Sequence, residues 1–288
     1  MSSATNSNRA LLRVQDLAIT YRTDANSEVR AVDSVDFSIA DGEIVGLLGE
    51  SGCGKTSIGM ALLGVLPSAA TLSGTMHFRE KDLAELNQDE MREVRGAGIA
   101  MIFQDPALAL HPLIRVRDQI SEVLRAHSTC DRGECRRVVE GILTDLELGD
   151  VERIGNSYPH QLSGGQCQRI LIAQALICNP VLIVADEPTA SLDPNTALEI
   201  VELIRRTSER ERIAFLFISH DPAILRSVAH RVIVMHSGKI VEQGTADQIL
   251  NQSSHPYTRA LLAARQGDSC EYEFSTAETF SNLSSAEV

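Results

Sequence analysis

Eight consecutive residues in the first fifth of the chain have the composition of a loop that binds phosphate. They fit the pattern GxxxxGK[ST] and are Gly49, Glu50, Ser51, Gly52, Cys53, Gly54, Lys55 and Thr56. Glycines let the backbone curl so that successive N–H groups point at phosphate oxygens, and a following helix adds the positive end of its dipole. The lysine of such a loop reaches the β- and γ-phosphates, and the hydroxyl binds Mg²⁺. We call residues 49–56 the phosphate loop; a glycine-rich turn with an incidental lysine is the alternative.

Two carboxylates end an apolar segment in the second half of the chain. Asp186 and Glu187 follow residues 181–185, which have the composition of a buried strand. Ligands of open α/β sheets bind at the carboxyl ends of strands, so these carboxylates are expected beside the phosphates. Asp186 would hold Mg²⁺ through water, and Glu187 would polarise the attacking water as a general base. A solvated strand end with two surface acids is the alternative.

A second candidate anion site lies in the segment LSGGQ, which contains Ser163, Gly164, Gly165 and Gln166. A serine at a helix N-cap with two glycines makes a helix terminus that can bind an anion. Because the phosphate loop already wraps the phosphates of one nucleotide, we expect this terminus to serve a nucleotide held by another subunit. An ordinary capped helix would have the same spacing.

Strands and helices must alternate to bring these residues together. The hydropathy pattern predicts strands over 44–48, 99–103, 181–185 and 213–218, helices over 57–66, 166–178 and 194–210, and a hairpin of 231–235 with 239–243 around His236, Ser237 and Gly238. The run 44–48 is continuously apolar, as expected of a parallel strand covered on both faces. Alternating residues from 11 onward predict further strands, and residues 82–159 turn polar and helical.

Composition excludes several classes of protein. The chain has 288 residues with 43% hydrophobic and 23% charged residues, as is ordinary for a globular protein. Its net charge of −13 opposes non-specific binding to nucleic acid or to an anionic bilayer. No run of eighteen apolar residues and no secretory signal pattern is recognisable. The cysteines lack CxxC spacing, which argues against a zinc site and favours a reducing compartment: Cys53, Cys130, Cys135, Cys167, Cys178 and Cys270.

The motifs GESGCGKT, LSGGQ, VLIVADEP and SHD stand in an order and spacing that resemble the ATP-binding subunit of ABC transporters. The resemblance covers residues 11–262. It implies an α/β P-loop NTPase fold: a RecA-like parallel sheet core, an N-terminal antiparallel β part and an inserted α-helical subdomain. We therefore expect a flexible N-terminus over 1–10, one ATPase domain over 11–266 with its helical insert at about 88–165, and a disordered acidic tail over 267–288.

The same resemblance implies ATP and Mg²⁺ as cofactors and assigns further site residues. Tyr21 is similar to the aromatic residue that stacks on adenine. Gln104 resembles the glutamine that contacts Mg²⁺ and the attacking water. Asp193 belongs to a segment, 190–193, that resembles the loop crossing the dimer interface. His220 resembles the histidine that bonds the γ-phosphate. Each also has an ordinary structural alternative: a strand aromatic, a polar loop residue or a strand-end histidine.

Segments 100–106, 158–161 and 255–258 more narrowly resemble the oligopeptide, dipeptide and nickel branch of ABC importers. This likeness implies a second ATPase subunit, identical or different, two transmembrane permease subunits, an extracytoplasmic solute-binding protein, and a peripheral position on the cytoplasmic face of the membrane. The solute class implied is peptides, nickel or metal chelates, or related small solutes. A nucleic-acid-associated ABC ATPase is disfavoured by acidity and by the lack of a second module. A stand-alone P-loop kinase or GTPase leaves LSGGQ unexplained.

Overall fold

The computed structural model describes residues 10–22 and 27–266. The predicted N-terminal segment, apart from Ala10, and the predicted acidic tail over 267–288 therefore lie outside the described residues. Within the described part, no helix combines the length and apolar character needed to cross a membrane.

Two sheets organise the chain. Their strands are β1 (Ala10–Arg22), β2 (Glu28–Ala40), β3 (Ile44–Gly49), β4 (Ala70–Phe78), β5 (Lys81–Asp82), β6 (Ile99–Ile102), β7 (Leu182–Asp186), β8 (Ala214–Ser219), β9 (Arg231–His236) and β10 (Lys239–Thr245). The first sheet is antiparallel in the order β2-β1-β4-β5. The second has the order β10-β9-β3-β8-β7-β6 and is parallel except for β10.

Helices cover the parallel sheet and extend from it. They are α1 (Lys55–Leu62), α2 (Gln88–Val94), α3 (Pro106–Ala109), α4 (Val116–His127), α5 (Arg132–Asp145), α6 (Val151–Asn156), α7 (Gly164–Leu176), α8 (Pro194–Glu211), α9 (Pro222–Val228), α10 (Ala246–Gln252) and α11 (Pro256–Gln266). A 3-10 turn, Pro159–Gln161, precedes α7. The α/β fold with an antiparallel β part and added helices confirms the predicted fold class.

The parallel sheet separates two hydrophobic cores. Every residue of β3, β7 and β8 is buried, because helices or the antiparallel sheet cover both faces. Successive side chains of a strand point to opposite faces. Phe215 and Phe217 of β8 therefore pack in the core that includes α7 and α8, whereas Leu216 and Ile218 pack in the core shared with α1 and the antiparallel sheet.

The segment between α2 and α7 contains both sheet and helical structure. The strand β6 lies within the predicted insert of 88–165, yet it pairs in parallel with β7 of the main sheet. Helices α4, α5 and α6 follow it and pack on one another, and α4 and α5 also pack on α7. A disulfide joins Cys130, in the loop that follows α4, to Cys135 on α5, which the expectation of a reducing compartment did not anticipate. The domain boundaries themselves stay a prediction.

The predicted hairpin near the C-terminal end is confirmed. His236 of β9 pairs with Lys239 of β10, so the loop has two residues. Ser237 and Gly238 both adopt positive φ, 47° and 80°. Two-residue hairpins favour turns of this kind because their twist matches that of the flanking strands. This hairpin places β10 beside β9 at the edge of the parallel sheet.

Candidate nucleotide site

Three neighbouring strands deliver the candidate residues to one edge of the parallel sheet. The strand β8 lies between β3 and β7 and is parallel to both, so their carboxyl ends meet at that edge. A cavity of about 430 Å³ opens there and is lined by Ala31, Ser51, Gly52, Gly54, Lys55, Thr56, Ser57, Gln104, Asp186, Glu187 and His220. The structure thus brings together most of the residues predicted to bind phosphate, Mg²⁺ and the attacking water.

Backbone geometry explains why the phosphate loop contains glycine. Gly52 and Gly54 have φ values of +81° and +104°, a region that favours glycine. A Cβ atom on Gly54 would lie 2.2 Å from the carbonyl oxygen of Ala31, whereas one on Gly52 would meet nothing within 4 Å. Gly54 is also the N-cap of α1, and no acidic side chain occupies the first turn of that helix. The N-terminal N–H groups of α1 therefore face a cavity suited to an anion.

Lys55 holds the ends of the phosphate loop together. Only 6% of this residue is exposed, and its Nζ donates to the carbonyl oxygens of Gly49 and Glu50, both at 2.8 Å. The thiol of Cys53 packs behind the loop, where burial raises its pKa although the charge of Lys55 acts in the opposite direction. Gly49 has no room for a side chain, since a Cβ would lie 2.6 Å from the Met235 carbonyl oxygen. Gly49, Glu50 and Cys53 thus shape the loop from behind and do not line the cavity.

Asp186 has the features of a metal ligand. It is 5% exposed, and its Oδ1 atom is buried without a hydrogen-bond partner. Burial raises the pKa of Asp186, while a hydrogen bond from the Thr56 hydroxyl lowers it. Carboxylate and hydroxyl oxygens are ligands that Mg²⁺ favours. The unsatisfied oxygen beside Thr56 therefore fits a Mg²⁺ ion.

Glu187 and His220 form a pair across two strands. Glu187 follows β7 and His220 follows β8, and their Oε2 and Nδ1 atoms lie 2.8 Å apart. Glu187 has a positive φ of 48°, which is uncommon for a residue with a side chain. Its own N–H donates to the carbonyl oxygen of Ile218, 3.0 Å away, and this bond fixes the turn. The turn directs the carboxylate into the cavity, where it can accept a proton from water while His220 orients it.

The structure places the other predicted residues at different distances from this cavity. Gln104 follows β6 and lines it. Tyr21 lies on β1 outside the cavity lining, but its hydroxyl is 3.0 Å from the Oγ atom of Ser57, which does line it. Sequence reasoning missed Ser57 and Ala31. Ser57 could have been predicted to line the cavity because it directly follows the phosphate loop. Ala31 could not, because no nearby sequence pattern indicates that it lies beside Gly54.

The LSGGQ segment forms a second helix terminus, as predicted. Ser163 is the N-cap of α7, and its Oγ accepts from the N–H of Gln166 while the Gln166 side chain accepts from the N–H of Ser163. Gly165 has no space for a side chain because a Cβ would lie 2.6 Å from Thr196. Asp193 caps α8 and also binds the Thr196 hydroxyl at 2.6 Å. LSGGQ and Asp193 are thus held together, but neither lines the cavity at the phosphate loop.

Comparison with known proteins agrees with this arrangement. Residues 32–190 match the family model described as ABC transporter. The probable peptide ABC transporter ATP-binding protein y4tR of Sinorhizobium fredii is 42% identical over 88% of this chain and 76% of its own length. The dipeptide transport ATP-binding protein DppD of Bacillus subtilis is 41% identical, again over 88% of this chain and 76% of its own length.

Solved structures lead to the same family. The dimeric ATP-binding cassette MJ0796 bound to ADP and Pi is 27% identical, with a TM-score of 0.72 over 82% of this chain and 98% of that one. The protein cbiO1 of Clostridium perfringens, part of the ABC transporter complex cbiONQ, is also 27% identical, with a TM-score of 0.71. The match covers 85% of this chain and 92% of that one. Since sequence and fold agree over most of its length, the chain belongs to the ABC transporter family, as a subunit that binds and hydrolyses ATP.

Proposed function

We propose that this chain powers the uptake of peptides or related small solutes, as the peripheral ATPase subunit of an importer on the cytoplasmic face of a membrane. Relatives named for peptide and dipeptide transport support the solute class. In this assignment a second ATPase subunit pairs with the chain, two permease subunits span the membrane, and a solute-binding protein delivers the solute. Nickel or metal chelates are a second solute class, which rests on the motif resemblance alone.

One observation carries the coupling between ATP and transport. Gln104 and Asp186 line the nucleotide cavity and also a neighbouring groove of about 380 Å³. The groove contains Phe103 and Leu108, which are 50% and 87% exposed. Exposed apolar side chains grouped in this way are typical of a protein interface. A permease segment docked in this groove would share a wall with the nucleotide.

The chain's own residues divide the work of hydrolysis. Mg²⁺, held by Thr56 and Asp186 with Gln104 beside them, would neutralise charge on the phosphates. Lys55 and the N-terminus of α1 bind the β- and γ-phosphates. Glu187 accepts the proton of the attacking water, and His220 holds both the Glu187 carboxylate and the γ-phosphoryl group.

A dimer completes the site in this proposal. The N-terminus of α7 offers N–H groups to an anion, but LSGGQ does not line the phosphate-loop cavity of its own chain. A partner subunit in the opposite orientation would bring its LSGGQ segment over the γ-phosphate, while Asp193 and its neighbours cross the interface. Closure of the dimer would then move the permease subunits through the groove at Phe103 and Leu108.

The catalytic assignment is tested with Glu187→Gln. This variant keeps the shape of the side chain but removes the base, so ATP binding is expected to remain while turnover falls by about 100-fold or more. Dimers should accumulate with ATP, which size-exclusion chromatography measures. Retained turnover would show that another group is the base, and a variant that stayed monomeric with every plausible partner subunit would contradict the shared site.

The transport assignment is tested with Leu108→Glu in cells that depend on this chain for uptake of a labelled dipeptide. A charge in the groove should release the chain from the membrane fraction and abolish uptake, while ATP binding by the purified chain is unchanged. Val138→Glu is the matched control, since Val138 is also exposed, at 41%, but lies on α5 outside the groove. Equal uptake by the two variants would contradict docking at Leu108.

A further inference from the structure

Two helices carry the surfaces that the proposed dimer presents to a partner's nucleotide. Ser163 of LSGGQ caps the start of α7, and Asp193 caps the start of α8. The helices touch near these ends, because Gly165 of α7 lies so close to Thr196 of α8 that a side chain has no space there. A contact further along both helices therefore bears on the angle between them.

Arg169 makes such a contact one turn further along α7. Residues 165 and 169 share a face of that helix because they are four positions apart, and Thr196 and Glu199 likewise share a face of α8. The Nη2 atom of Arg169 donates to Oε2 of Glu199 at 3.0 Å. The Arg169 side chain is only 12% exposed, so the charged donor of this bond is largely removed from solvent.

The same guanidinium also holds the end of α5. Its Nη1 atom donates at 3.0 Å to the carbonyl oxygen of Leu146, the C-cap residue of α5. The last carbonyls of a helix have no partner within it, so a donor from another helix satisfies one of them. The carboxylate of Glu147 lies 3.8 Å from Arg169 Nη1 and accepts from Arg206 of α8 at 3.0 Å. Arg169 thus lies where α5, α7 and α8 meet.

A planar guanidinium suits this junction. Its N–H groups point in fixed directions, so Nη1 serves Leu146 while Nη2 serves Glu199. The ammonium of a lysine is a point charge on a flexible stem and does not reproduce this fixed spacing. Arg169 is not among the residues that line the cavity at the phosphate loop, so its effect on nucleotide would act through LSGGQ.

We infer that Arg169 is a positioning residue for the closed dimer: by tying α7 to α8 and to the end of α5, it holds LSGGQ and Asp193 in the relative position that a partner's nucleotide requires. The inference rests on the dimer of the proposed function. Surfaces that are held in place before association lose less freedom on binding and so bind more tightly. Loss of Arg169 should therefore weaken ATP-driven dimerisation and leave ATP binding by the single chain intact.

The test measures the dissociation constant of ATP-dependent dimers by sedimentation equilibrium in the Glu187→Gln background, with the subunit that pairs with this parent. Arg169→Met removes both bonds of the guanidinium and should raise the constant about 10-fold or more, the range of hydrogen bonds to a charged group. Glu199→Ala removes only the bond to α8, and its carboxylate is 64% exposed, so a rise of about 3-fold is expected. The double variant should be no worse than Arg169→Met, because Glu199 acts through Arg169.

Two substitutions serve as references for these variants. Arg169→Lys keeps the charge but loses the fixed spacing of the two donors, so it should not restore the parent's dissociation constant. Glu209→Ala removes an ion pair with Arg205 that lies within α8, at a carboxylate 58% exposed, and should dimerise as the parent does.

Two further readouts separate positioning from a loss of folding. Binding of labelled ATP, at chain concentrations too low for dimers, should stay within about twofold of the parent in every variant. With Glu187 restored, the ATPase activity of Glu199→Ala should fall at low chain concentration and recover as the concentration is raised, because mass action offsets weaker dimerisation. A drop in unfolding temperature that parallels the loss of dimers, or a deficit that concentration does not restore, would indicate a structural role and overturn the inference.

The outcomes distinguish this inference from the proposed function. If the Glu187→Gln parent forms no ATP-dependent dimers, the proposed function fails, and the inference loses its basis. If the parent dimerises and both Arg169→Met and Glu199→Ala stay within about twofold of it, only the role of Arg169 is overturned. If Glu209→Ala is impaired as much as Glu199→Ala, loss of charge on α8 explains the effect, and the role of Arg169 is again overturned.

Discussion

Replacing a single glycine of the phosphate loop tests how closely the loop approaches β2. In Gly54→Ala the new Cβ would lie 2.2 Å from the Ala31 carbonyl oxygen, closer than real Cβ contacts, so the loop or β2 must move. The φ of +104° adds a penalty for a left-handed backbone of about 1–2 kcal/mol. Relief of the overlap costs about 1–3 kcal/mol more. We expect Gly54→Ala to lower the free energy of unfolding by about 2–5 kcal/mol.

Gly52→Ala is the matched control for this measurement. Gly52 also has a positive φ, of +81°, but an added Cβ meets nothing within 4 Å. The free energy of unfolding of Gly52→Ala should therefore fall only by the cost of the left-handed backbone, about 1–2 kcal/mol. Urea unfolding of both variants without nucleotide gives the two free energies, provided the slope with denaturant is unchanged.

The difference between the two variants isolates the contact with Ala31. A gap of about 1–3 kcal/mol is expected, with Gly54→Ala the less stable. Equal stabilities would refute the reasoning, because they would mean that the loop accommodates a side chain at 54 without displacing β2. Gly54→Ala should also bind ATP more weakly, since the displaced loop no longer directs its N–H groups at the phosphates.

Two further perturbations address the elements behind the site. Glu242→Gln should lower the free energy of unfolding at pH 6, because folding lowers the pKa of Glu242 and the charged carboxylate therefore stabilises the folded state. Burial raises this pKa, but hydrogen bonds to the carboxylate outweigh burial. This stabilisation is lost as the pH falls through the folded pKa, so the free energy of unfolding should decline less with acid in the variant than in the parent. Parallel curves of unfolding free energy for the two proteins from pH 6 to pH 3 would contradict this. Phe217→Ala should lower the free energy of unfolding in urea by about 3–5 kcal/mol, because Phe217 is fully buried in β8. Leu198→Ala is the control: Leu198 is 56% exposed, so its free energy of unfolding should stay within about 0.5 kcal/mol of the parent. A similar loss in both variants would contradict the core assignment.

Local structure followed the sequence except at element ends. The helix expected over 57–66 is α1, Lys55–Leu62, and it ends early because Gly64 adopts a positive φ of 59° just beyond the C-cap. The helix expected over 166–178 is α7, Gly164–Leu176, which begins directly after the Ser163 cap. Caps depend on a few side-chain and backbone contacts, so they moved these boundaries by two to four residues without changing the hydropathy pattern.

Chemistry carried by contiguous residues was readable from the sequence alone. The phosphate loop, the Asp186-Glu187 pair and the Ser163 cap each depend on neighbours in the chain, because a loop's curl, a strand's end and a helix's first turn are local properties. The resemblance to ABC transporters rests on the order of these local motifs, and the family and fold comparisons confirm it.

Only the tertiary structure decided which distant residues meet. The 2.8 Å contact of Glu187 with His220 depends on the strand order β10-β9-β3-β8-β7-β6. The approach of Gly54 to Ala31 depends instead on how the antiparallel sheet, which contains β2, packs beside α1. Strand order and register are set when whole faces of strands and helices are buried against one another. The energy of this burial comes from many contacts between distant parts of the chain, so no single segment of the sequence predicts it. The sequence therefore determined which groups could react, and packing determined which of them share a cavity.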